Sequence, residues 1–413
     1  MSIIQKSFVI LHHHCTIGSK SAKHSLYQSI FKLKKRSKMK KLYRLDAWHK
    51  LLALRFKSLK WRHGVLIALL ILVTLTKMIP LWGFIYTTRI YPVIGTLLSP
   101  ISGFFPFAVG DIFIALSIAW VILYPIYEIG LRKKRVFGRV AEYLLWVYAW
   151  FYIAWGLNYS QPNIYYRIGM KPVEVSKAKF KKFAYQYADS LNALSNASLS
   201  NARKSISPDS IVDDALKNRV RDAVLKEYNK IGYREGINRP FNQHPHAKTM
   251  VFTPLSSMAG VTGSMGPFFC EFTLNGDILA HDYPATYAHE FAHFLGVANE
   301  GEANFYSYIV CTASADKQVR FSGYYHIFFH VLNNVYDILG EKEGERFLQH
   351  IRPEIIQRAR NDRHYWLSKR CKALDAAQDF IFELYLRGNH VAEGRKSYSG
   401  VIGLILAWEE KKK

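Results

Sequence analysis

Three long apolar stretches lie within the first 160 residues of the chain. The first begins with GVLIALLILVTLT at 64–76, the second covers 107–127, and the third includes YLLWVYAWFYIAWGL at 143–157. Each approaches the ~20 apolar residues of a transmembrane helix. Lys77, near the end of the first, could snorkel to a membrane surface. Buried helices of a soluble protein are the alternative, but three such stretches so close together predict membrane spans at about 64–86, 107–127 and 140–157.

The chain after residue 158 has a different, mixed pattern. Apolar residues recur at helical spacing, which predicts helices at 174–195, 213–232, 284–296, 300–315, 321–340, 342–360 and 365–388. The Ser/Asn-rich segment 195–210 predicts a loop, and short strands are expected within 248–280. The fold class is therefore mainly α: three transmembrane helices, then an α+β domain at 158–413 with a small β-sheet. The apolar run at 400–408 is too short to cross a membrane.

Charge is distributed unevenly and predicts an orientation. Residues 1–63 carry 16 Lys/Arg and one acid, whereas the whole chain has a net charge of +25. The loop at 88–106 has only Arg89, but the next loop reads LRKKRVFGR at 131–139. By the positive-inside rule the N-terminus and this second loop lie in the cytoplasm. Three spans then place residues 158–413 outside the cytoplasm, so the protein is expected to be a multi-pass protein of the bacterial inner membrane.

The basic segment 1–63 is interpreted as a cytoplasmic tail. It contains KLKKRSKMKK at 32–41, which as an alternative could form an arm that binds nucleic acid or a lipid surface. We expect the lipid bilayer, and no nucleic acid, to be the partner. The opening segment lacks a signal-peptide cleavage site. Because Met39 begins a more ordinary start, MKKLYRLDAWHK, residues 1–38 are interpreted as a translation artefact.

The chemistry is concentrated at residues 289–293, which read HEFAH. On a helix, His289 and His293 lie on one face one turn apart, so both imidazoles can bind one Zn²⁺. Glu290 would then be the general base that takes a proton from water. Two core or solvated histidines are the alternative interpretation. However, the surrounding residues are apolar, and burying these polar side chains without a partner is costly.

A third ligand is expected just beyond Gly296, which is placed to end the helix. Glu300, with Ala303 and Asn304 after it, resembles an E-x-x-A-D/N pattern of gluzincin-type metallopeptidases. The resemblance implies that Glu300 binds zinc and that Asn304 supports a ligand histidine. Glu302 remains the alternative ligand, because a sharp turn after Gly296 could bring it level with His293. Asn299 stands where a metzincin would have its third histidine, which argues against that class.

Several segments together resemble a family of bacterial membrane proteins of unknown function. They are WGLNYSQP at 155–162, GVTGSMGPFFCEFTLNG at 260–276, YAHEFAHFLGVANEGEANFYSYIVC at 287–311, RFSGYYH at 320–326 and YLRGNHVAEGRKSYSGVIGLIL at 385–406. The resemblance covers nearly everything after residue ~60. It implies three N-terminal spans followed by an extracytoplasmic zincin-like domain, and hence a gluzincin-like peptidase.

Other residues are candidates for supporting roles. An oxyanion needs a cation or phenol; Tyr398 and Arg320 are the leading candidates, and Tyr324 and His330 are the others. The segment CEFTLNGD at 270–277 could bind a substrate backbone as an added β-strand or belong to the core sheet. Cys270 and Cys311 could form a disulfide or remain buried thiols.

The sequence therefore predicts a membrane-anchored zinc metallopeptidase. It would hydrolyse a peptide or protein outside the cytoplasm, with zinc as cofactor, His289, His293 and Glu300 (or Glu302) as ligands and Glu290 as base. The alternative is a membrane sensor or scaffold whose zincin fold binds a ligand without turnover. Glu290 favours the enzyme, since a structural zinc site needs no such base.

Overall fold

A computed structural model of the chain describes residues 61–130, 135–173, 176–202, 212–243, 245, 247–374, 376–380 and 400–412. The chain divides into two compact units, Met1–Ala68 and Leu69–Lys413. Residues 61–68 are the described part of the first unit. The features reported below belong to the second, apart from the start of helix α1.

The described chain is mainly helical with one small sheet, as the sequence predicts. The N-terminal region contains α1 (Trp61–Met78), α2 (Pro80–Ile85), a π-helical turn (Tyr86–Ile90), α3 (Tyr91–Gly103), α4 (Val109–Gly130) and α5 (Val136–Ala154). Next come a 3₁₀ turn (Gly156–Ser160), α6 (Ile164–Arg167), α7 (Lys177–Ala202), α8 (Asp214–Tyr228) and a second 3₁₀ turn (Tyr233–Glu235).

The sheet and the remaining helices follow. They are β1 (Lys248–Thr249), α9 (Thr253–Met258), β2 (Gly263–Gly266), β3 (Glu271–Leu274), α10 (Tyr283–Phe294), α11 (Glu300–Ala313), α12 (Lys317–His326), α13 (Phe328–Leu339), α14 (Glu341–His350), α15 (Pro353–Lys369) and α16 (Val401–Lys411). The strand order is β1-β3-β2, with β3 parallel to β1 and antiparallel to β2. Strand β2 is therefore an edge strand of the sheet.

Two helices of the described chain, α1 and α4, are long and apolar enough to cross a membrane. The predicted third span does not meet this condition. Helix α5 includes Arg139 and Glu142, and many of its other residues are Tyr or Trp, which are less apolar than aliphatic residues. The first predicted span is also shorter than expected, because helix α1 ends before Pro80 and a new helix starts there.

The segment predicted as a loop at 88–106 is largely helical and packs in the core. Tyr91, in helix α3, is fully buried and donates a hydrogen bond to the carbonyl of Phe294 at 2.7 Å. Trp155 belongs to the same buried cluster. Elements on both sides of residue 158 thus enclose helix α10.

Several helix boundaries differ from the predictions for local reasons. The predicted helix 321–340 is divided at Ile327 into α12 and α13. The predicted helix 342–360 is divided before Pro353, because proline disfavours helical geometry at the residue before it, and Arg352 has an extended ψ of 137°. Helix α7 continues to Ala202, into the segment predicted as a loop. The C-terminal run at 400–408 forms a buried helix, α16, within the core.

Candidate metal centre

Helix α10 carries the HExxH motif in the centre of the core. All of its residues from Tyr283 to Phe294 are buried. The Tyr228 hydroxyl donates to the carbonyl of Ala288, and the Ser307 hydroxyl donates to the carbonyl of Ala285, both at 2.7 Å. Helices α8 and α11 therefore hold α10 through its backbone as well as through apolar contacts.

Gly296 ends this helix in the way the sequence predicts. Its φ is +95°, and the amide of Val297 donates to the carbonyl of Ala292 at 3.1 Å. This is the pattern of a Schellman turn, in which glycine accepts the left-handed conformation without strain. The turn reverses the chain so that α11 begins at Glu300, beside α10.

Three side chains meet at this reversal: His289, His293 and Glu300. His289 Nε2 lies 3.1 Å from Glu300 Oε2 and 3.1 Å from His293 Nε2, and His293 Nε2 lies 3.3 Å from Glu300 Oε2. A tetrahedral zinc ion with bonds of about 2.0–2.1 Å has ligand atoms roughly 3.3 Å apart. The three atoms therefore fit one face of such a tetrahedron. Together with Glu290, these residues are called the candidate metal centre below.

The outer ring nitrogens of both histidines are held in place. His289 Nδ1 donates to Asn304 Oδ1 at 2.8 Å, and His293 Nδ1 donates to the carbonyl of Val297 at 2.6 Å. These contacts orient both rings so that each Nε2 faces Glu300 Oε2, which is the ring orientation that metal-binding histidines use. Asn304 thus occupies the supporting position that the sequence resemblance implies.

Glu302, the alternative ligand, faces away from the imidazoles. The Arg167 guanidinium donates to its Oε2 at 2.6 Å, and the amide of Ile164 donates to its Oε1 at 2.9 Å. Both oxygens are used, and the side chains of the pair are buried. The structure therefore brings Glu300, and not Glu302, to the two histidines.

Glu290 is buried next to strand β2. Its Oε2 is a buried oxygen without a hydrogen-bond partner among the described residues. A Cβ at Gly263 would stand 2.4 Å from Glu290 Oε1, so only glycine leaves room for this carboxylate. Burial raises the pKa of Glu290, and the nearby His289 and His293 oppose this increase. A carboxyl group with a raised pKa and a free oxygen is suited to proton transfer.

The electrostatics of the other members follow from their proximity. Burial by itself would raise the pKa of Glu300, but the charge of His293 and hydrogen bonds from both imidazoles hold it well below its usual range. Burial would lower the pKa of His293, but Glu300 outweighs burial and raises this pKa to about 9. The centre thus holds an anionic oxygen beside its nitrogen donors, a set that suits a divalent zinc ion.

Two more histidines, His326 and His330, lie near the centre. His330 is one of the candidates named from the sequence, but sequence reasoning missed His326, which contacts Asn304. His326 Nε2 donates to Asn304 Oδ1 at 3.0 Å, and burial, then His289 and His330, lower its pKa to about 3. Burial and His289 also lower the pKa of His330. Their i, i+4 spacing, which repeats that of His289 and His293, is the signal that the sequence offers.

Of the candidate oxyanion residues, Arg320 is engaged elsewhere: its guanidinium donates to the carbonyl of Ser314 at 2.9 Å, at the end of α11. Tyr324 packs between Tyr187 and Tyr308. Of the three candidates in the described part of the chain, His330 is the one whose pKa His289 lowers. Tyr398 lies outside the described residues.

The remaining predictions concern the sheet and the cysteines. Strand β3, predicted as a possible substrate strand, is the central strand, with both edges paired. The edge beside Glu290 belongs to β2. Cys270 and Cys311 are buried free thiols, so of the two alternatives left open by the sequence the structure shows the thiols and not the disulfide.

Comparison with known proteins gives one family. A family model described as "Protein of unknown function (DUF3810)" matches residues 86–406. No curated protein and no solved structure matches the chain.

Proposed function

The chain belongs to the DUF3810 family, and on that premise we propose that it is a membrane-anchored, zinc-dependent metallopeptidase. The observation that supports this proposal is the triangle of His289 Nε2, His293 Nε2 and Glu300 Oε2, with sides of 3.1, 3.1 and 3.3 Å, beside the buried Glu290 carboxyl. Three protein ligands and a neighbouring base are the donor set of a catalytic zinc site. A purely structural zinc site is closed by a fourth protein ligand.

Each residue has a distinct role in the proposed reaction. His289, His293 and Glu300 would hold the ion. When bound, zinc supplies a Lewis acid that lowers the pKa of water and polarises a peptide carbonyl. Glu290 accepts the proton of the attacking water and passes it to the nitrogen of the leaving amine. Its raised pKa brings it closer to neutral pH, where such a shuttle works best.

The substrate backbone would bind along strand β2. This strand lies at the edge of the sheet, and Gly263 brings it into contact with Glu290. An extended peptide that pairs with this edge would be held by backbone hydrogen bonds, as in other cases of β-strand addition. We therefore propose a peptide or protein segment in extended conformation as the substrate.

The proposed location is the bacterial inner membrane, with the candidate metal centre outside the cytoplasm. Helix α5 would accompany α1 and α4 as a third, less apolar span. It packs on α4 through a 2.7 Å hydrogen bond between Ser117 and Tyr143, and it exposes apolar residues such as Phe137 and Leu144. The basic run at 131–139 would mark the cytoplasmic end of both helices.

Metal analysis and a cleavage assay on one preparation test this proposal. The full chain is required, because residues before 158 form part of the core around α10. The chain is purified in detergent, its zinc content is measured, and it is incubated with an extracytoplasmic peptide library. Glu290→Gln is the matched variant, since it keeps the size of the side chain and the three ligands.

We expect one zinc per chain in both proteins and cleavage by the wild type only. Absence of stoichiometric zinc from the wild type would overturn the proposal. Zinc in both proteins without cleavage, together with full cellular function of Glu290→Gln, would favour the alternative of a membrane sensor or scaffold.

A further inference from the structure

A cavity of about 510 Å³ lies on another side of helix α10. Its α10 lining residues are Tyr283, Tyr287 and Phe294. At 100° per residue, these side chains point roughly 120° away from the two histidines of the candidate metal centre. Among the described residues, none of the four members of that centre lines the cavity. The cavity is therefore a separate site, of a size typical for small ligands.

The cavity combines an aromatic wall with two basic residues at its rim. Phe272 of β3 joins the α10 aromatic residues in the interior, and both Phe272 and Tyr287 are almost fully buried. Lys217 and Arg221 line the rim from helix α8. An amphipathic ligand with an anionic group would match both parts of this lining.

The charged residues in the interior of the cavity neutralise each other, so an anion would bind at the rim. Lys248 Nζ lies 2.7 Å from Glu271 Oε2, so these two buried groups neutralise each other. At the rim, Lys217 pairs with Asp214, and Arg221 Nε lies 2.9 Å from the exposed Asp222 carboxylate, so an anion that binds there has to replace a carboxylate partner. The Lys217–Asp214 contact, at 3.1 Å, is largely exposed and therefore weak. An incoming anion could replace it.

One wall of the cavity belongs to the segment that leads into an apolar helix. Ser102, Phe105 and Pro106 line the cavity, and helix α4 begins at Val109. Next to this wall, Phe104 has 86% of its surface exposed. Exposed aromatic residues beside a membrane helix are typical of the bilayer interface. The cavity would thus lie at the membrane surface, within reach of lipid.

From these observations we infer that the cavity binds the phosphate-bearing headgroup of an anionic phospholipid. Arg221 and Lys217 contact the phosphate, and the aromatic interior receives the adjoining glycerol and first methylenes. Arginine suits this role, because its planar guanidinium pairs with two phosphate oxygens. The inference rests on the placement of α4 in a membrane, and it does not depend on zinc or on peptide cleavage.

Native mass spectrometry of the full chain, released from nanodiscs, tests the inference. The nanodiscs contain phosphatidylcholine with one tenth phosphatidylglycerol. Three variants are compared with the wild type: Arg221→Gln, Gly103→Phe and Lys226→Gln. Gly103 lines the cavity, and nothing lies within 4 Å of the position that a Cβ would take there, so phenylalanine can fill the site. Lys226 is an exposed residue of the same helix as Arg221 that does not line the cavity, and it is the matched control.

We expect the wild type and Lys226→Gln to retain phosphatidylglycerol selectively. Arg221→Gln should retain about tenfold less, which corresponds to the loss of one charged hydrogen bond, and Gly103→Phe should lose selectivity as well. Equal retention by all four proteins would overturn the inference, since it would show attraction to general surface charge. A competition arm adds glycerol 3-phosphate. Displacement of the lipid by micromolar amounts would show that the site takes soluble phosphate esters and would overturn the lipid assignment.

Thermal unfolding of each variant separates binding from folding. If Gly103→Phe fails to fold, Arg221→Gln still decides the outcome, because this side chain lies at the rim and is partly exposed. Zinc content is measured on the same samples. Unchanged zinc with lost lipid selectivity supports a lipid site separate from the metal centre, whereas parallel loss of both would overturn the separation of the two sites.

Discussion

The Arg167 guanidinium and the Glu302 carboxylate form a buried ion pair, with a distance of 2.6 Å between Nη2 and Oε2. This pair explains why Glu300 faces the two histidines. On a helix, residues two apart point in directions that differ by about 200°. Since Arg167 holds Glu302 on one side of α11, Glu300 is on the side that meets α10. A residue outside both α10 and α11 thus helps to determine which glutamate reaches the two histidines.

The two glutamates should respond differently to the same substitution. Glu300→Gln replaces the anionic ligand atom, so we expect zinc content to fall below one tenth of the wild-type value while the fold is kept. Glu302→Gln leaves the buried Arg167 charge without its partner, which costs about 3–5 kcal/mol of unfolding free energy. Zinc analysis and denaturant unfolding of both variants measure this. Stoichiometric zinc in Glu300→Gln would contradict the assignment of the ligand.

Asn304 should affect zinc affinity without touching the metal. Its Oδ1 accepts hydrogen bonds from His289 and His326, at 2.8 and 3.0 Å. Loss of such a supporting contact typically weakens metal binding about 10–100-fold. We expect this result for Asn304→Ala in a titration against a zinc-chelating dye. Asn334→Ala, on helix α13, is the control, and an unchanged affinity in both variants would show that His289 needs no support.

Gly263 should be required for cleavage but not for zinc. In Gly263→Ala the new methyl group would collide with the Glu290 carboxyl, because the Cβ position lies 2.4 Å from Oε1. We expect Glu290 to move, and kcat to fall about 100-fold, as for a displaced general base. Zinc content should stay at one per chain. Gly400→Ala is the control, since nothing lies within 4 Å of its Cβ position. Wild-type activity of Gly263→Ala would mean that Glu290 does not act from this position.

The local features of the centre could be predicted from the sequence, whereas the long-range ones could not. Helical periodicity places His289 and His293 on one face of α10, and Gly296 permits the left-handed turn that ends this helix. Both are local properties, so the sequence predicts them. The choice between Glu300 and Glu302 depends on Arg167, which is far away in the sequence, and no local pattern encodes that contact. The same applies to Tyr91: its segment looks like a loop between spans, but its hydroxyl binds the end of α10.

The span count shows a related limit. The aromatic, apolar run at 143–157 predicts a third span at about 140–157, but helix α5 covers Val136–Ala154 and so takes in Arg139 as well as Glu142. The mean hydropathy of helix α5 depends on where the helix begins and ends, and not only on the apolar run inside it. Patterns are least informative at such boundaries.

The pH dependence of stability should change with zinc. Burial lowers the pKa of His293, but Glu300 outweighs burial and raises it to about 9, above the unfolded value of about 6.5. A group with a raised pKa stabilises the metal-free fold fully below its unfolded pKa, and this contribution is lost as the pH rises through about 9. Zinc needs the neutral imidazole, so zinc binding releases a proton in this range and strengthens with pH.

We therefore expect zinc to increase the melting temperature more at pH 9 than at pH 6. The measurement is thermal unfolding of the full chain with zinc and with a chelator, at pH 6, 7.5 and 9. Glu300→Gln is the control: it removes the largest of the contacts that raise the pKa of His293, so the chelated protein should lose most of this pH dependence. A zinc-induced stabilisation that stays constant from pH 6 to 9 would show that no proton leaves His293, and the imidazole would then not be a ligand.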